Sequence, residues 1–373
     1  MPTVIDREPA NKVAAMTIVG LDDQPQGLRW PFSRLIDPAV LALCRPTPQT
    51  LGRAVVVAGL GALILAVAWI TTGDAGSVLA LSKTVYRTVV PYDVRRFVWV
   101  AQEACANPFN WLMIIAILLA ECAIPADRRQ RVLSIGLIHD FFWFTFTTFF
   151  QIMIIPLYVG LLRAGYDRFL SPLTIEAAAT WPVAFKVTVA IVILDFLGWM
   201  HHYLRHKVEW FWYFHMTHHA QREVNLFTGD RFHPVEYLIN TTVVFLPTSI
   251  LGLSLHGIVW IAFATYWYTL VYHGNLKTNY GPLKHFMVTP QSHRIHHSIE
   301  ERHWNKNFGV LFTVWDRAFG TLYTNYDEYP ATGVPDARYP LEQRAKGLAL
   351  IGMWAAQLLY PFKMMFMKVA RAR

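Results

Sequence analysis

Of the 15 histidines in this chain of 373 residues, 13 lie between His201 and His297. Their spacing inside that window is regular. His202 and His206 are four apart, His215, His218 and His219 follow an i, i+3, i+4 pattern, and His293, His296 and His297 repeat that pattern. On an α-helix each set shares one face. Eight imidazoles from three helical faces are the wrong number for one mononuclear site and suit two metal ions held close together. Imidazole suits iron, zinc, copper or nickel, and composition does not choose among them. Cys44, Cys105 and Cys122 are too few and too far apart for a thiolate cluster or a disulfide framework. A lone histidine on an apolar face is more often a hydrogen-bonded core residue, which is the reading for His256, His201 and His285. Three such sets beside apolar helices are different, because burying them without a partner is costly. Hydrogen-bond acceptors are expected behind the rings to fix their tautomers, from Asp195, Glu209 and Glu236. Asp195 stands two helical turns before His202 on the same face.

The elements that must carry these residues read as membrane helices. Hydrophobic residues make up 54% of the chain and charged residues 16%, against about 25% charged in an average soluble domain. That excludes a disordered chain and argues against an ordinary water-facing surface. Lys plus Arg (33) less Asp plus Glu (25) gives +8. The basic residues flank apolar runs, as at Arg128, Arg129 and Arg131 or Lys363, Lys368, Arg371 and Arg373, so lipid rather than nucleic acid is the expected partner. Windows 54–70, 109–124, 133–162 with a kink near Pro156, 181–200, and 237–272 as a hairpin predict about six crossings. The positive-inside rule then puts the histidine window on the cytoplasmic face, with Lys83, Arg87, Arg95 and Arg96 running against that count. Residues 348–367 read as an interfacial helix or a loosely held tail. The expectation is an all-α integral-membrane, multi-pass helical bundle with a histidine-rich helical cap on the cytosolic face. It divides into a cytoplasmic arm (1–50) without a signal-peptide pattern, membrane helices of unassigned role (51–180), a catalytic region (181–325) and a tail with an interfacial helix (326–373). His139 and Asp140 are expected to face a polar interior. Phe141, Phe142, Trp143, Phe144, Trp260 and Trp267 are candidate walls of a substrate tunnel, although such aromatics more often face lipid or pack.

At these residues the sequence resembles the sterol desaturase and fatty acid hydroxylase superfamily of integral-membrane di-iron enzymes. Asp195 followed by aromatics and then His202-x-x-x-His206 resembles its first box, and His215-x-x-His218-His219 its second. Arg231-Phe-His233-Pro234-Val-Glu236 resembles the stretch that opens its membrane hairpin, and His273-Gly-Asn275 the histidine that closes it. Thr289-Pro290-Gln-Ser-His293-Arg-Ile-His296-His297 resembles the third box. Asn307-Phe-Gly309 and Trp315-Asp316-Arg317-Ala-Phe319-Gly320-Thr321 resemble the closing signature. The likeness runs from about residue 181 to 323. One departure stands out: Tyr203 follows His202 where the family usually has arginine, and the arginine is Arg205.

The resemblance implies two iron ions, O2 as oxidant, and hydroxylation or desaturation of a C–H bond in a sterol, hopanoid, carotenoid or fatty acyl lipid. It adds His273 to the ligands, makes His233 either a ligand or a residue that holds the hairpin by hydrogen bonding, and adds Asn275 and Asp316 to Asp195 and Glu236 as supporting residues. No dinucleotide fingerprint, ferredoxin cysteine set or cytochrome b5 motif is present. Electrons are therefore expected from a separate ferredoxin or cytochrome-type donor and its reductase, drawn to Lys207, Arg222, Lys277, Lys284, Arg302 and Lys306. Other readings are ether cleavage or aldehyde deformylation on the same centre, a histidine-rich membrane metal transporter, and a zinc hydrolase, which the lack of HExxH disfavours.

Overall fold

The computed structural model describes residues 107–252, 255–345 and 347–371, residues 255–260 and 371 by their backbone alone. The expected span at 54–70 lies outside them, as do Trp260 and His256 as side chains. The described residues are helical, joined by turns and three isolated β-bridges. In chain order the helices are α1 (Pro108–Ala123), α2 (Ile135–Met153), α3 (Ile155–Gly165), α4 (Val183–Lys207), α5 (Glu209–His219), α6 (Pro234–Ile250), α7 (Leu255–His273), α8 (Pro290–His296), α9 (Val314–Ala318) and α10 (Ala349–Arg371).

Local chemistry sets the boundaries. The Asn107 side chain accepts from Phe109 N and Pro108 opens α1 without wasting an N–H. Ser134 caps α2 through Leu137 N. Thr289 and Ser292 form a reciprocal capping box over α8, which fixes the start of the seven-residue helix carrying His293 and His296.

The expected crossings are realised unevenly. Among the described residues α4 is the one helix that by itself has the length and apolarity of a bilayer span, and α2 with the helical residues 155–173 forms a pair bent by 40° that qualifies together. Pro156 lies in the first turn after the break. The stretch 109–124 is a 16-residue helix, and 237–272 is two helices, α6 and α7, separated at Leu251–Gly252.

Helices α4, α5 and α6 pack together, while the turn 226–230 is clasped by α1, α2 and α7. Leu226 and Phe227 enter a core with Ile117, Leu137, Trp267 and Leu270. Trp212 and Met216 of α5 pack on Tyr339, Leu341, Tyr360 and Met364. Each large apolar side chain so buried stabilises by about 1.5–3 kcal/mol, so the C-terminal helix is held against α5 and is no loose tail. The predicted tunnel wall on α2 and α7 is not realised: Trp143 is buried and donates to Gln357, Phe144 and Trp267 pack in the core above, and Phe141 and Phe142 are exposed.

Candidate metal centre

Four helices end at one place. His202 and His206 occupy the last turns of α4, His218 and His219 the last turn of α5, His273 the end of α7, and His293 and His296 lie on α8. A helix C-terminus carries a partial negative charge, worth about 0.3–1 kcal/mol to a nearby cation. Each of these ends therefore favours positive charge at the convergence.

The nine histidines named from the boxes and His273 form two sets. His202, His206, His215, His219 and His296 offer nitrogens within 4.8 Å of one another, and His218, His273, His293 and His297 do the same. All nine are buried. The sets touch, with the His219 and His297 rings stacked at 4.4 Å.

Hydrogen bonding settles which nitrogen is free. Nδ1–H donates to the carbonyls of Phe308 from His202 (3.0 Å), Thr228 from His218 (3.1 Å), Thr269 from His273 (2.7 Å) and Lys306 from His296 (2.8 Å), and to Glu236 Oε1 from His215 (3.0 Å). A neutral imidazole has one N–H, so Nε2 of these rings carries the lone pair. Every Nε2 of the first set is buried without a hydrogen-bond partner. In the second set His218 Nε2 and His273 Nε2 face each other at 3.3 Å, and His293 Nε2 is 2.8 Å from His273 Nε2 and 3.0 Å from His297 Nε2. His218 and His273 both spend Nδ1–H on a carbonyl, so two lone pairs meet between their Nε2 atoms and repel unless a cation lies between them. Burial first, then the neighbouring charged groups, hold His215, His218, His219, His293 and His297 well below the ordinary imidazole range, and burial takes His296 down to about 4. The rings are thus neutral, the form that binds a metal. Two all-nitrogen donor sets, side by side and oriented from behind, fit two borderline transition-metal ions.

The expected supporting residues act differently from the reading of the sequence. Glu236 alone meets a ring directly. Asp195 bonds no histidine; it accepts from Leu311 N and Trp315 Nε1, both at 2.8 Å. Asp316 accepts from Phe308 N, Gly309 N and Trp199 Nε1. Both carboxylates thereby fix the loop 306–312, whose Lys306 and Phe308 carbonyls orient His296 and His202. Asn307 sits at φ 58°, where asparagine is tolerated, and a Cβ at Gly309 would stand 2.7 Å from Phe312 O. The Asn-x-Gly signature is a device for aiming carbonyls at the rings.

Asn275 accepts from Arg294 and Asp127 N instead of a ring, and Glu209 takes Tyr213 and Lys368. His233 belongs to neither set: its Nδ1 caps α6 through Val235 N and its Nε2 meets Leu358 O, so it holds the hairpin. His285 is exposed, and His201 is buried against Arg205. What sequence reasoning missed is the set of backbone carbonyls, which no side-chain identity announces.

Residues 187–321 match the fatty acid hydroxylase family. This stretch is a fatty acid hydroxylase domain of the sterol desaturase and fatty acid hydroxylase superfamily. Ornithine lipid hydroxylase OlsE of Rhizobium tropici is 34% identical over 129 residues, 35% of this chain and 39% of that protein. Human alkylglycerol monooxygenase is 28% identical over 141 residues, 35% of this chain and 29% of that protein. The aligned stretch is thus well under half of either relative. No solved structure matches the chain. All nine clustered histidines of the hydroxylase domain fall inside the matched residues.

Beside the second set opens a cavity of about 360 Å³, walled by α4, α6 and α7. His202, His215, His218, His273 and His293 reach it at one end, and Ile191, Leu194, Val243, Val244, Ala262 and Val310 line its apolar remainder. Gly198 lets Val310 come close, since a Cβ there would lie 3.0 Å from the valine side chain.

Proposed function

We propose that the chain is a membrane-embedded, O2-dependent di-iron enzyme that hydroxylates a C–H bond of a lipid. The observation that carries this reading is two adjoining sets of buried imidazoles, the Nε2 atoms of the first without any hydrogen-bond partner, with five of the nine rings lining a largely apolar cavity. One ion is held by His202, His206, His215, His219 and His296, the other by His218, His273, His293 and His297. Iron bound there supplies the oxidising power that acid and base side chains lack.

The chain's own residues do the rest. They keep the imidazoles neutral, set the tautomers of His202, His215, His218, His273 and His296 through a carbonyl or Glu236, and surround the reacting carbon with hydrocarbon from α4, α6 and α7. A membrane setting is supported by apolar side chains that water would not tolerate: Leu161, Phe169, Val183 and Phe366 are 71–76% exposed. In this reading further crossings complete a six-helix bundle, and the histidine end lies at the cytoplasmic face. Electrons come from a separate ferredoxin or cytochrome-type protein and its reductase. The basic residues Lys207, Arg222, Lys277 and Arg302 are exposed and attract an acidic donor. Lys306 joins that surface to the centre, because its carbonyl receives the His296 ring.

A second outcome, oxidation of a carbon beside an ether oxygen, is favoured by the likeness to alkylglycerol monooxygenase. The test is to express wild type and His218→Ala and extract the lipids of each. A lipid one oxygen atom heavier in wild type alone supports hydroxylation, a shortened or cleaved lipid supports the second outcome, and identical lipids contradict both.

A further inference from the structure

Arg205 sits on α4 between His202 and His206 and lines the cavity at the metal end. It is 7% exposed. A guanidinium has five donors and no acceptor, and one buried in a protein normally spends nearly all of them. Arg231 in the same molecule shows the rule. Its donors reach Thr217 O, Asp140, both oxygens of Glu342 and Gln357, at 2.7–3.1 Å.

Arg205 does not follow it. Among the described residues its hydrogen-bond partner is the His201 ring, 3.1 Å from Nη2 and a long 3.5 Å from Nε, which leaves Nη1 and one Nη2 hydrogen without an acceptor. Its nearest carboxylate oxygen, Glu236 Oε1, is 3.9 Å from Nε, beyond hydrogen-bond reach. That oxygen is already taken by His215 at 3.0 Å. The guanidinium lies over the Phe232 ring at 5.2 Å, a contact that uses its face and none of its donors. Arg205 is therefore a buried cation with donors to spare, on the wall of a hydrocarbon-lined cavity, sharing one carboxylate oxygen with a ring of the metal centre. Asn240, one turn beyond Glu236 on α6, also lines the cavity and hydrogen-bonds the same His201 side chain.

We infer that Arg205 is the binding residue for an acceptor oxygen of the substrate, a hydroxyl, carbonyl or carboxylate, so that the lipid enters polar end first. This rests on the hydroxylase reading and adds the orientation of the substrate. The hydrocarbon then fills the remainder of the cavity along Ile191, Val243 and Val244. The carbon attacked is near the oxygen-bearing group, and the methyl end of the chain is remote from the centre. One oxygen atom of O2 enters the C–H bond and the other leaves as water, with two electrons from the external donor and two protons from solvent.

The test has two parts. Binding of myristyl alcohol, myristate and tetradecane to the purified full-length protein in detergent is compared for wild type, Arg205→Met and Arg205→Lys. The alcohol or the acid should bind wild type at least about tenfold more tightly than the alkane, the worth of one hydrogen bond to a charged group. Arg205→Met should erase that ratio while tetradecane binding stays the same, and Arg205→Lys should keep part of it. Preference for the acid identifies an anionic group and preference for the alcohol a neutral one. A wild type that binds the alkane as well as both oxygenated probes overturns the inference, as does an Arg205→Met protein that retains the ratio.

The second part needs no variant: fragmentation of the oxidised lipid from wild-type cells should place the new oxygen within a few bonds of the existing polar group. Oxygen at mid-chain or at the methyl end overturns the inference and leaves the hydroxylase reading standing. Unchanged lipids in cells, together with intact discrimination among the three probes, count against the hydroxylase reading and leave the binding role of Arg205 in place.

Discussion

Two buried polar clusters flank the segment 226–236, and Thr228 belongs to both: its carbonyl receives His218 and its hydroxyl donates to Asp140 at 2.7 Å. In the cluster around Arg231, Asp140 also accepts from Gln221 and Asn225, and Glu342 from Arg231 and Gln357. His139, Asp140 and Glu342 are spaced to hold a metal ion, yet the Arg231 guanidinium lies among them, 2.8 Å from Asp140 and 2.9 Å from Glu342. The chain supplies its own cation there. Among the ring nitrogens of the histidine cluster it places none, Arg205 standing aside against His201, and the five Nε2 atoms of the first set are left without a donor. Ionisable groups are equally buried in both places. What separates a structural cluster from a chemical one is whether the protein itself completes the hydrogen bonding.

Breaking each cluster should therefore have opposite signatures. The largest effect is expected for His296→Ala, which removes one ring of the first set: turnover should vanish and metal content fall while membrane insertion is kept, whereas His285→Ala, with its ring at the surface, should change neither. Arg231→Met leaves Asp140 and Glu342 as uncompensated buried carboxylates and should cost about 3–5 kcal/mol of stability. Thermal unfolding would report it, and the protein that does fold should bind metal at the wild-type ratio. Glu236→Gln weakens the acceptor behind His215 and should lower metal affinity about 10–100-fold with the melting temperature nearly unchanged. Thr289→Ala removes the cap of α8 and should cost about 1 kcal/mol.

Acid sharpens the same contrast. Burial alone would raise the Glu342 pKa, but the Arg231 charge overrides it and holds the carboxyl down at about 2 against an ordinary 4.5. A carboxylate depressed on folding contributes stability that is complete above the unfolded value and is lost as pH falls from there through the folded one. Acid unfolding of wild type should thus steepen below pH 4.5, and Glu342→Gln should flatten that limb. An unchanged limb would mean that Arg231 does not govern the cluster.

The sequence made the donors legible because helical periodicity is a local property: three spaced sets on three helix faces needed no tertiary information. The pairing of those sets into five and four did need it, since His296 joins α4 and α5 whereas its neighbours His293 and His297 join His273. Asp195 was readable as a buried carboxylate, but its partner was not, because the loop it holds lies more than a hundred residues later. His139 and Asp140 were rightly expected to face a polar interior; that the interior is Arg231 and a glutamate from the C-terminal region depends on long-range packing. Arg205 reads in the sequence as a displaced box arginine, and only its missing partners reveal a free donor in the cavity.

The most direct test of the central claim is the iron content of anaerobically purified protein, wild type beside His218→Ala. Two histidine sets that complete their bonding with metal predict about two irons per wild-type chain and a clear loss in the variant. Wild type without redox metal, or a variant that keeps its full complement, would contradict the account.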